Sequence, residues 1–348
     1  MKKKIAINGF GRIGRLTLRN LLNQKDVEVV AINDLTDNET LAHLFKYDSA
    51  QGNYSKPVTS TNKYITIGKQ KIVALSERDP SKLPWKKMKI DVVLECTGRF
   101  RTYETAGKHL DAGAKRVVLS APAKSDNIQT IVFGVNDNEL DASNKIFSNA
   151  SCTTNCLAPL VKVIDETWGL VQGTMTTVHA YTSDQRLQDA PHSDMRRSRA
   201  AAINMVPTST GAAVATALVY PGAKDKIEAM AVRVPVVTGS LVDLTAIVEK
   251  DVTIEEVNKK FASMSRGKLR GILEYADAPL VSTDIIGNKK SSIFDSQLTK
   301  ASGKVMKIVS WYDNEAGYSA RLADMAKTVA KLPAQKKTRK SKKKATTA

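Results

Sequence analysis

Two patterns of hydrophobic and polar positions divide the chain near residue 151. Before this point, short apolar runs of β-type composition alternate with segments of helix length. Such alternation is typical of a doubly wound parallel sheet with helices on both faces. The predicted strands are Ile5–Asn8, Val27–Asn33, Asp91–Cys96, Arg116–Ser120, Ile131–Val135 and Lys145–Ser148. The predicted helices between them include Arg12–Asn23 and Tyr103–Ala112.

Beyond residue 151, long strand-like runs follow one another closely. This pattern favours an α+β arrangement, in which helices cover one face of a largely antiparallel sheet. The predicted strands are Gly173–Tyr181, Ala229–Val236, Ser240–Glu249 and Val305–Tyr312. The predicted helices are Cys152–Thr167, Gly211–Val219, Ile254–Ser265 and, with the apolar spacing of a packed helix, Ser319–Leu332.

The charge of the chain is strongly positive, and part of the excess is local. Lys and Arg outnumber Asp and Glu by 53 to 35, which gives a formal net charge of +18. Residues 333–348 contain seven basic residues and no acid, so we predict a disordered basic tail there. The rest of the charge suits anionic small substrates, although a solvated surface would give the same count.

Targeting and redox signals are weak. No apolar run approaches the ~18–20 residues that a membrane span needs. The basic start of the chain is not followed by the apolar stretch of a signal peptide. Three cysteines make a disulfide framework improbable and permit a reactive thiol. We therefore expect a cytoplasmic protein.

A glycine motif follows the first predicted strand. Gly9, Gly11 and Gly14 form G-x-G-x-x-G at the start of a predicted helix. The glycines allow a tight turn and let the backbone approach a pyrophosphate at the helix N-terminus. Asp34 ends the second strand, where a carboxylate can accept hydrogen bonds from an adenosine ribose. Because this carboxylate repels a 2′-phosphate, the pattern predicts a Rossmann-type domain that prefers NAD, although nearby Lys or Arg residues could soften the preference.

Cys152 and His179 form a candidate nucleophile and base. Cys152 opens a predicted helix, where free amides and the helix dipole favour thiolate over thiol. Cys156 lies one turn further along and is interpreted as a packed small hydrophobic residue. His179 lies on a β-run that leads into a polar loop, as a general base could. In isolation each residue would more often be structural. A cysteine hydrolase could use the same pair, but it has no use for the dinucleotide motif.

Four segments resemble the glyceraldehyde-3-phosphate dehydrogenase family. They are N-G-F-G-R-I-G-R at 8–15, S-C-T-T-N-C-L-A-P at 151–159, P-T-S-T-G-A-A at 207–213 and W-Y-D-N-E at 311–315. The resemblance extends from about residue 3 to 332. It implies that Cys152 attacks the aldehyde of glyceraldehyde 3-phosphate and forms a hemithioacetal. His179 would take the hydroxyl proton as hydride passes to NAD, and inorganic phosphate would then cleave the thioester to give 1,3-bisphosphoglycerate.

The same resemblance implies which residues bind each ligand. For the phosphate of the triose they are Thr182 and Arg233. For the attacking phosphate they are Ser151, Thr153, Arg197, Thr210 and Gly211. For NAD they are Gly9, Gly11, Arg12, Ile13, Asp34, Arg78, Thr97, Ser120 and Asn314. No metal site is expected. Family members are usually homotetramers in which the loop 182–206 meets a neighbouring subunit.

The resemblance also suggests a division of the chain. Residues 1–151 and 315–332 would form the Rossmann-type NAD-binding domain, residues 152–314 the α+β catalytic domain, and residues 333–348 an added basic tail. Two positions depart from the family. Ala316 stands where an aromatic residue is common near the nicotinamide, and Ala190 where a leucine is often found near the adenosine ribose.

Two other functions stay open at this point. An erythrose-4-phosphate dehydrogenase would share the fold and nucleophile, but it releases its thioester to water. Arg197 and the helix start at Thr210–Gly211 argue against it, because that enzyme needs no bound phosphate. Nucleic-acid binding is expected only as a secondary, nonspecific property of the tail, since aromatic residues make up only 5% of the chain.

Overall fold

The structure is a computed structural model that describes residues 1–333. Residues 334–348, which hold all seven basic residues of the predicted tail, lie outside the described residues. Among residues 1–333, no helix combines the length and apolar character that crossing a bilayer requires.

The first half of the chain forms a nine-stranded sheet with helices packed against it. Its strands are β1 Lys3–Asn8, β2 Val27–Asn33, β3 Val58–Thr61, β4 Tyr64–Ile67, β5 Gln70–Leu75, β6 Val92–Glu95, β7 Arg116–Leu119, β8 Gln129–Thr130 and β9 Ile146–Ser148. Its helices are α1 Arg12–Leu21, α2 Asn38–Lys46, α3 Trp85–Met88 and α4 Tyr103–Asp111. The strand order is β3-β4-β5-β2-β1-β6-β7-β9-β8.

Strand β1 lies at the centre of this sheet and pairs in parallel with β2 on one side and β6 on the other. The strand order therefore reverses at β1, and in such sheets ligands bind in the crevice at the carboxyl ends of the strands. Only β3–β4 and β4–β5 are antiparallel. Ile5 to Asn8 are all buried, as expected for a strand covered on both faces. The predicted doubly wound, mostly parallel sheet is confirmed.

The second half forms a seven-stranded mixed sheet. Its strands are β10 Leu170–Ala180, β11 Val206–Ser209, β12 Ile227–Val234, β13 Ser240–Val248, β14 Leu273–Ala276, β15 Ser292–Ser302 and β16 Val305–Tyr312. Its helices are α5 Cys152–Trp168, α6 Ala212–Val219 and α7 Ile254–Arg266. The order is β11-β12-β10-β13-β16-β15-β14, with only β10–β12 and β14–β15 parallel. The largely antiparallel sheet is confirmed.

The last helix, α8 Ala316–Lys331, returns to the first sheet. Its residues Met325 and Val329 share a buried core with Ile5 and Leu18 of β1 and α1. Arg116 at the start of β7 donates to the carbonyl oxygen of Leu332, 3.0 Å away, just beyond the end of α8. The C-terminal helix is therefore anchored to the dinucleotide-binding half.

One predicted strand is wrong. Residues 131–135 form a turn, and only β8 pairs with the sheet edge. The side chain of Asn136 takes the place of a partner strand: its Oδ1 accepts from the amide of Val132 at 2.9 Å, and its Nδ2 donates to the carbonyl of Thr130 at 3.0 Å. Gly134 adopts a φ of 81°, which ends extended structure. Only the amide of Ile131 still reaches a strand, donating to the carbonyl of Ser148 in β9 at 2.9 Å. The segment leaves the sheet after this residue.

Candidate active site

The turn before α5 places Cys152 at the junction of the two sheets. Ala150 has a φ of 54°, a left-handed conformation that is uncommon outside glycine. Its carbonyl accepts from the hydroxyl of Tyr318 at 3.0 Å, which holds the turn against α8. Ser151 is the N-cap of α5, and its Oγ accepts from the amide of Thr154 at 3.0 Å. Cys152 is therefore the first residue of α5, as predicted.

Cys152 and His179 are in contact. The Sγ atom lies 3.4 Å from Nε2 of His179, which is near the end of β10 and almost wholly buried. Nδ1 of His179 has two neighbours: the carbonyl oxygen of Ala180 at 2.6 Å, which can only accept, and Nη1 of Arg233 at 3.1 Å, which can only donate. The shorter contact favours a hydrogen on Nδ1 that is donated to Ala180. Nε2 is then the free acceptor that faces the thiol. The ring of Tyr312 packs edge-on against the imidazole at 5.9 Å between centroids.

Burial dominates the protonation of this pair. It raises the pKa of the Cys152 thiol, and the charge of Arg233 and the hydrogen bonds of Thr153 only partly oppose it. It lowers the pKa of His179 to about 3, with a further contribution from Arg233. In the free protein, burial therefore opposes the thiolate that the hydrogen bonds at the helix N-terminus favour. Burial thus favours the uncharged form of both side chains.

Arg233 stands beside this pair. The parallel pairing of β10 with β12 places Arg233 opposite His179 in register. Its Nη1 donates to Oγ1 of Thr182 at 3.0 Å and to the carbonyl of Ala180 at 3.2 Å. The structure thus brings both residues of the predicted triose-phosphate site together, and Arg233 also lies against the ring of His179.

The residues predicted for the attacking phosphate are more dispersed. Arg197 donates through Nη1 to Asp184 at 2.6 Å and through Nε to Oγ1 of Thr208 at 3.0 Å. Gly211 is the N-cap of α6, next to Thr210. Thr153 is buried, and its Oγ1 pairs with the hydroxyl of Tyr312 at 2.9 Å.

Asp184 has no counterpart in the sequence prediction. Its carboxylate accepts from the hydroxyl of Thr182 and from Arg197, and therefore joins the two predicted anion sites. Nothing in the local sequence distinguishes Asp184 from an ordinary acidic loop residue. Only the fold brings these three side chains together.

Two cavities lie at the carboxyl ends of the parallel strands of the first sheet, and the larger also reaches residues of the second half. The larger, of about 650 Å³, is lined by eight predicted site residues, namely Arg12, Ile13, Ser120, Ser151, Cys152, His179, Thr182 and Asn314. The smaller, of about 350 Å³, is lined by Gly9, Gly11, Asp34, Arg78 and Thr97. The predicted residues outside both linings are Thr153, Arg197, Thr210, Gly211 and Arg233.

The smaller cavity fits the adenosine half of a dinucleotide. Gly9 has a φ of 91°, and a Cβ atom there would lie 2.7 Å from the amide nitrogen of Thr97, so only glycine allows this close approach. The carboxylate of Asp34 accepts from the amide of Phe10 at 2.7 Å and from that of Thr36 at 3.0 Å. These bonds fix its position at the end of β2, where a ribose can reach it.

The larger cavity offers a site for the nicotinamide amide. Oδ1 of Asn314 accepts from Oγ of Ser240 at 2.9 Å and from the amide of Gly239 at 3.2 Å. Among residues 1–333, Nδ2 of Asn314 has no hydrogen-bond partner. This leaves a fixed NH₂ donor on the cavity wall.

The side chain of Arg12 is engaged by two carboxylates of the protein. Its guanidinium lies 2.7 Å from Asp48 and forms a second ion pair with Glu315. The side chain is therefore neutralised by two carboxylates. At the start of α1, however, the helix N-terminus remains available for an anion.

Comparison with known proteins agrees with this geometry. The family model for the glyceraldehyde 3-phosphate dehydrogenase NAD binding domain matches residues 3–103, and the model for the C-terminal domain matches residues 151–314. The chain belongs to the glyceraldehyde 3-phosphate dehydrogenase family. It is 54% identical to the glyceraldehyde-3-phosphate dehydrogenase of Mycobacterium avium over 338 residues, covering 95% of this chain and 99% of that protein. The corresponding protein of Mycobacterium leprae is 55% identical with the same coverage. That of Geobacillus stearothermophilus is 52% identical over 332 residues, again with 95% and 99% coverage.

Membership of the glyceraldehyde 3-phosphate dehydrogenase family establishes an NAD-dependent oxidoreductase. When bound, NAD supplies the hydride acceptor, and the glycine loop, Asp34 and Asn314 are placed to hold it. The departure at Ala316 lies at the first residue of α8. It is buried, and its amide donates to Asp313 at 3.0 Å.

Proposed function

We propose that the chain catalyses the phosphorylating oxidation of glyceraldehyde 3-phosphate to 1,3-bisphosphoglycerate with NAD. The observation that carries this proposal is the contact of Cys152 with a neutral His179 on the wall of the larger cavity. A nucleophile, a base and a hydride acceptor can then meet around one aldehyde carbon.

In the first step Sγ of Cys152 attacks the aldehyde carbon, and His179 relays the thiol proton to the carbonyl oxygen, which gives a hemithioacetal. His179 would then remove the hydroxyl proton, NAD would supply the hydride acceptor, and a thioester would remain on Sγ. A phosphate oxygen attacks the thioester carbon and the carbon–sulfur bond breaks. Two protons then remain to be placed, the one released by the attacking phosphate and the one held by His179. One of them returns to Sγ of Cys152 and the other leaves to solvent.

Two groups of residues are proposed to bind the phosphates. Thr182 and Arg233 take the phosphate of the triose, since Arg233 already donates to Thr182 and its buried Nε has no partner among residues 1–333. Ser151, Thr153, Arg197, Thr210 and Gly211 take the attacking phosphate. The start of α6 supports this second site, because its free amides favour an anion.

One assay tests the reaction. NAD reduction is followed with glyceraldehyde 3-phosphate in the presence and absence of inorganic phosphate, with erythrose 4-phosphate as the competing substrate. We expect steady turnover only with phosphate and glyceraldehyde 3-phosphate. Equal turnover without phosphate, or preference for erythrose 4-phosphate, would contradict the proposal.

We also propose a homotetramer in the cytoplasm, with domain boundaries at 151 and 315. Several apolar side chains of the loop 182–206 are largely exposed in the single chain, including Leu187, Met195, Ile203 and Met205. Burial against a second copy would remove them from water. All three cysteines are unpaired, which suits a reducing compartment. Light scattering distinguishes a tetramer from a monomer.

A further inference from the structure

A chain of buried polar groups runs beneath the smaller cavity. Glu95 ends β6 with its side chain almost fully buried. Its Oε2 accepts from Nδ2 of Asn8 at 2.6 Å and lies 3.0 Å from Nε2 of His109. Its Oε1 accepts from the amide of Thr97 at 2.8 Å and from the hydroxyl of the same residue. Four donors therefore converge on one carboxylate.

The tautomer of His109 follows from its other neighbour. The indole Nε1 of Trp85 lies 3.0 Å from Nδ1 of His109 and can only donate. Nδ1 must then accept, so the hydrogen of the neutral ring is on Nε2 and points to Glu95. Among residues 1–333, no Lys or Arg pairs with Glu95. The carboxylate is satisfied by hydrogen bonds alone, an arrangement that is strongly destabilised when one donor is lost.

The network continues toward the neighbouring strands. Oδ1 of Asn8 accepts from Nδ2 of Asn33 at 2.7 Å. Asn33 in turn exchanges two hydrogen bonds of 2.8 Å with the backbone of Glu77. The carboxyl ends of β1, β2 and β6 and the segment after β5 are thus tied together, and Asn8, Asn33, Glu77 and Thr97 all line the smaller cavity.

Thr97 connects this network to the glycine loop. A Cβ on Gly9 would lie only 2.7 Å from the Thr97 amide, so the loop and Thr97 are in close backbone contact. Any shift of Thr97 must therefore shift the loop as well. The bonds from Glu95 to Thr97 set that position.

We propose that Glu95 and His109 are positioning residues that hold Thr97 and the glycine loop in the conformation that binds the adenosine half of NAD. Neither residue lines either cavity. Their effect is confined to cofactor affinity. The nicotinamide pocket and the Cys152–His179 pair lie in the other cavity and do not depend on them.

The test compares His109→Leu with His109→Gln. Leucine removes both hydrogen bonds, whereas glutamine can accept from Trp85 and donate to Glu95. Calorimetry on the full chain without substrate measures affinity for NAD, for ADP-ribose and for nicotinamide mononucleotide. We expect His109→Leu to weaken the binding of NAD and ADP-ribose by about five- to tenfold, the size expected for the lost hydrogen bond to Glu95. Affinity for nicotinamide mononucleotide and kcat at saturating NAD should stay within about twofold.

Partial recovery of NAD affinity in His109→Gln is also expected. His43→Leu, on the exposed face of α2, is the matched control and should change nothing. If His109→Leu fails to fold, Trp85→Phe keeps an aromatic ring in the core while removing the donor to Nδ1 and part of the buried indole. It should weaken the binding of ADP-ribose in the same direction. A lowered Tm with unchanged affinity for NAD and ADP-ribose would show that the network only stabilises the fold. These binding measurements stand even if the phosphate-dependent reaction proposed above fails.

Discussion

Nη1 of Arg233 lies 3.1 Å from Nδ1 of His179, on the side of the ring opposite Cys152. A permanent cation in this position disfavours a second positive charge on the imidazole. Together with burial, it holds the pKa of His179 at about 3. Arg233 therefore has two consequences in the free protein: it offers a donor to an anionic substrate, and it lowers the basicity of the His179 imidazole.

The depressed pKa of His179 predicts a loss of stability in acid. An unfolded histidine binds a proton near its ordinary pKa of 6.5, whereas the folded one does so only near 3. Between these values the unfolded state holds more protons, so stability falls as pH falls, by up to ~1.4 kcal/mol per pH unit. His179→Gln cannot titrate and should lose less stability across this range. Urea midpoints should be measured at several pH values in this range for the unaltered chain, for His179→Gln and, as control, for His43→Gln. The midpoint should fall less steeply with falling pH only in His179→Gln.

Thiol reactivity should be concentrated at Cys152. Burial raises the pKa of both Cys96 and Cys156 to about 12, and neither contacts a base. Cys152 is partly exposed to the cavity and has the neutral Nε2 of His179 within 3.4 Å to take its proton. Iodoacetamide followed by peptide mass spectrometry should therefore modify Cys152 first, and His179→Gln should slow this step.

Cys152→Ser should abolish the dehydrogenase activity, whereas Cys156→Ser should retain it. Cys156 is fully buried in the core of the second sheet and serves as the matched control. Earlier labelling of Cys156, with activity retained in Cys152→Ser, would contradict the assignment of the nucleophile.

The sequence predicted the fully buried apolar strands such as β6 and β7, but it missed the short strands β3 and β4 although their burial alternates. Strand β15 escaped prediction because its first five residues are all buried although Ser292, Asp295 and Ser296 are polar, and because its register shifts between Asp295 and Lys300. The apolar run 131–135 misled in the opposite direction. It carries strand-forming residues, but beyond Ile131 it leaves strand β9, and the side-chain amide of Asn136 bonds the amide of Val132 and the carbonyl of Thr130.

The candidate site shows the same limit. Cys152 and His179 carried local signals, namely a helix start and a strand end. No local signal in the sequence predicts the protonation of the pair, because burial by the surrounding fold decides it. The Glu95–His109 contact joins β6 to α4 inside the core, and its members are ordinary residues until the fold brings them together.

Asp34 should govern the choice of cofactor. Asp34→Ala removes an acceptor for the ribose hydroxyls and a charge that repels the 2′-phosphate of NADP. The binding of NAD should therefore weaken while that of NADP becomes stronger. The expected change in preference is ~1–3 kcal/mol, because one charged hydrogen bond is at stake. Because Asp34 also holds the amide of Phe10, some affinity for both cofactors should be lost. The ratio of kcat/KM for NAD and NADP measures the effect, with the exposed carboxylate Glu39→Ala as control. An unchanged ratio would place Asp34 away from the ribose.

Arg197 should act after the oxidation step. Arg197→Ala removes a cation that Asp184 and Thr208 hold in place, and phosphate attack on the thioester should slow more than acylation. A pre-steady-state burst of NADH should persist while turnover falls. Arg196→Ala, an exposed neighbour, should leave both phases unchanged. A burst that shrinks in proportion to turnover would show that Arg197 does not serve the phosphate step.

The basic tail should affect polyanion binding and little else. Arg116 donates to the carbonyl of Leu332, so the described anchoring of α8 is complete before the first basic residue of the tail. A chain that ends at Pro333 should therefore keep the Tm and the dehydrogenase kinetics of the full-length chain. Its retention on heparin or RNA should fall. The slope of log K against log[salt] should also become shallower by several units if most of the seven charges contact phosphates.

The competing hypothesis is that the tail docks on its own or a neighbouring subunit and stabilises the oligomer. Exposed ion pairs contribute little individually, so we expect no such effect. A full-length variant with all seven basic residues replaced by glutamine separates charge from chain length, and it should match the truncated chain in heparin binding. Light scattering of both proteins decides the question. An unchanged mass with weaker polyanion binding is the expected result, whereas dissociation of the truncated chain into smaller species would show that the tail stabilises the assembly.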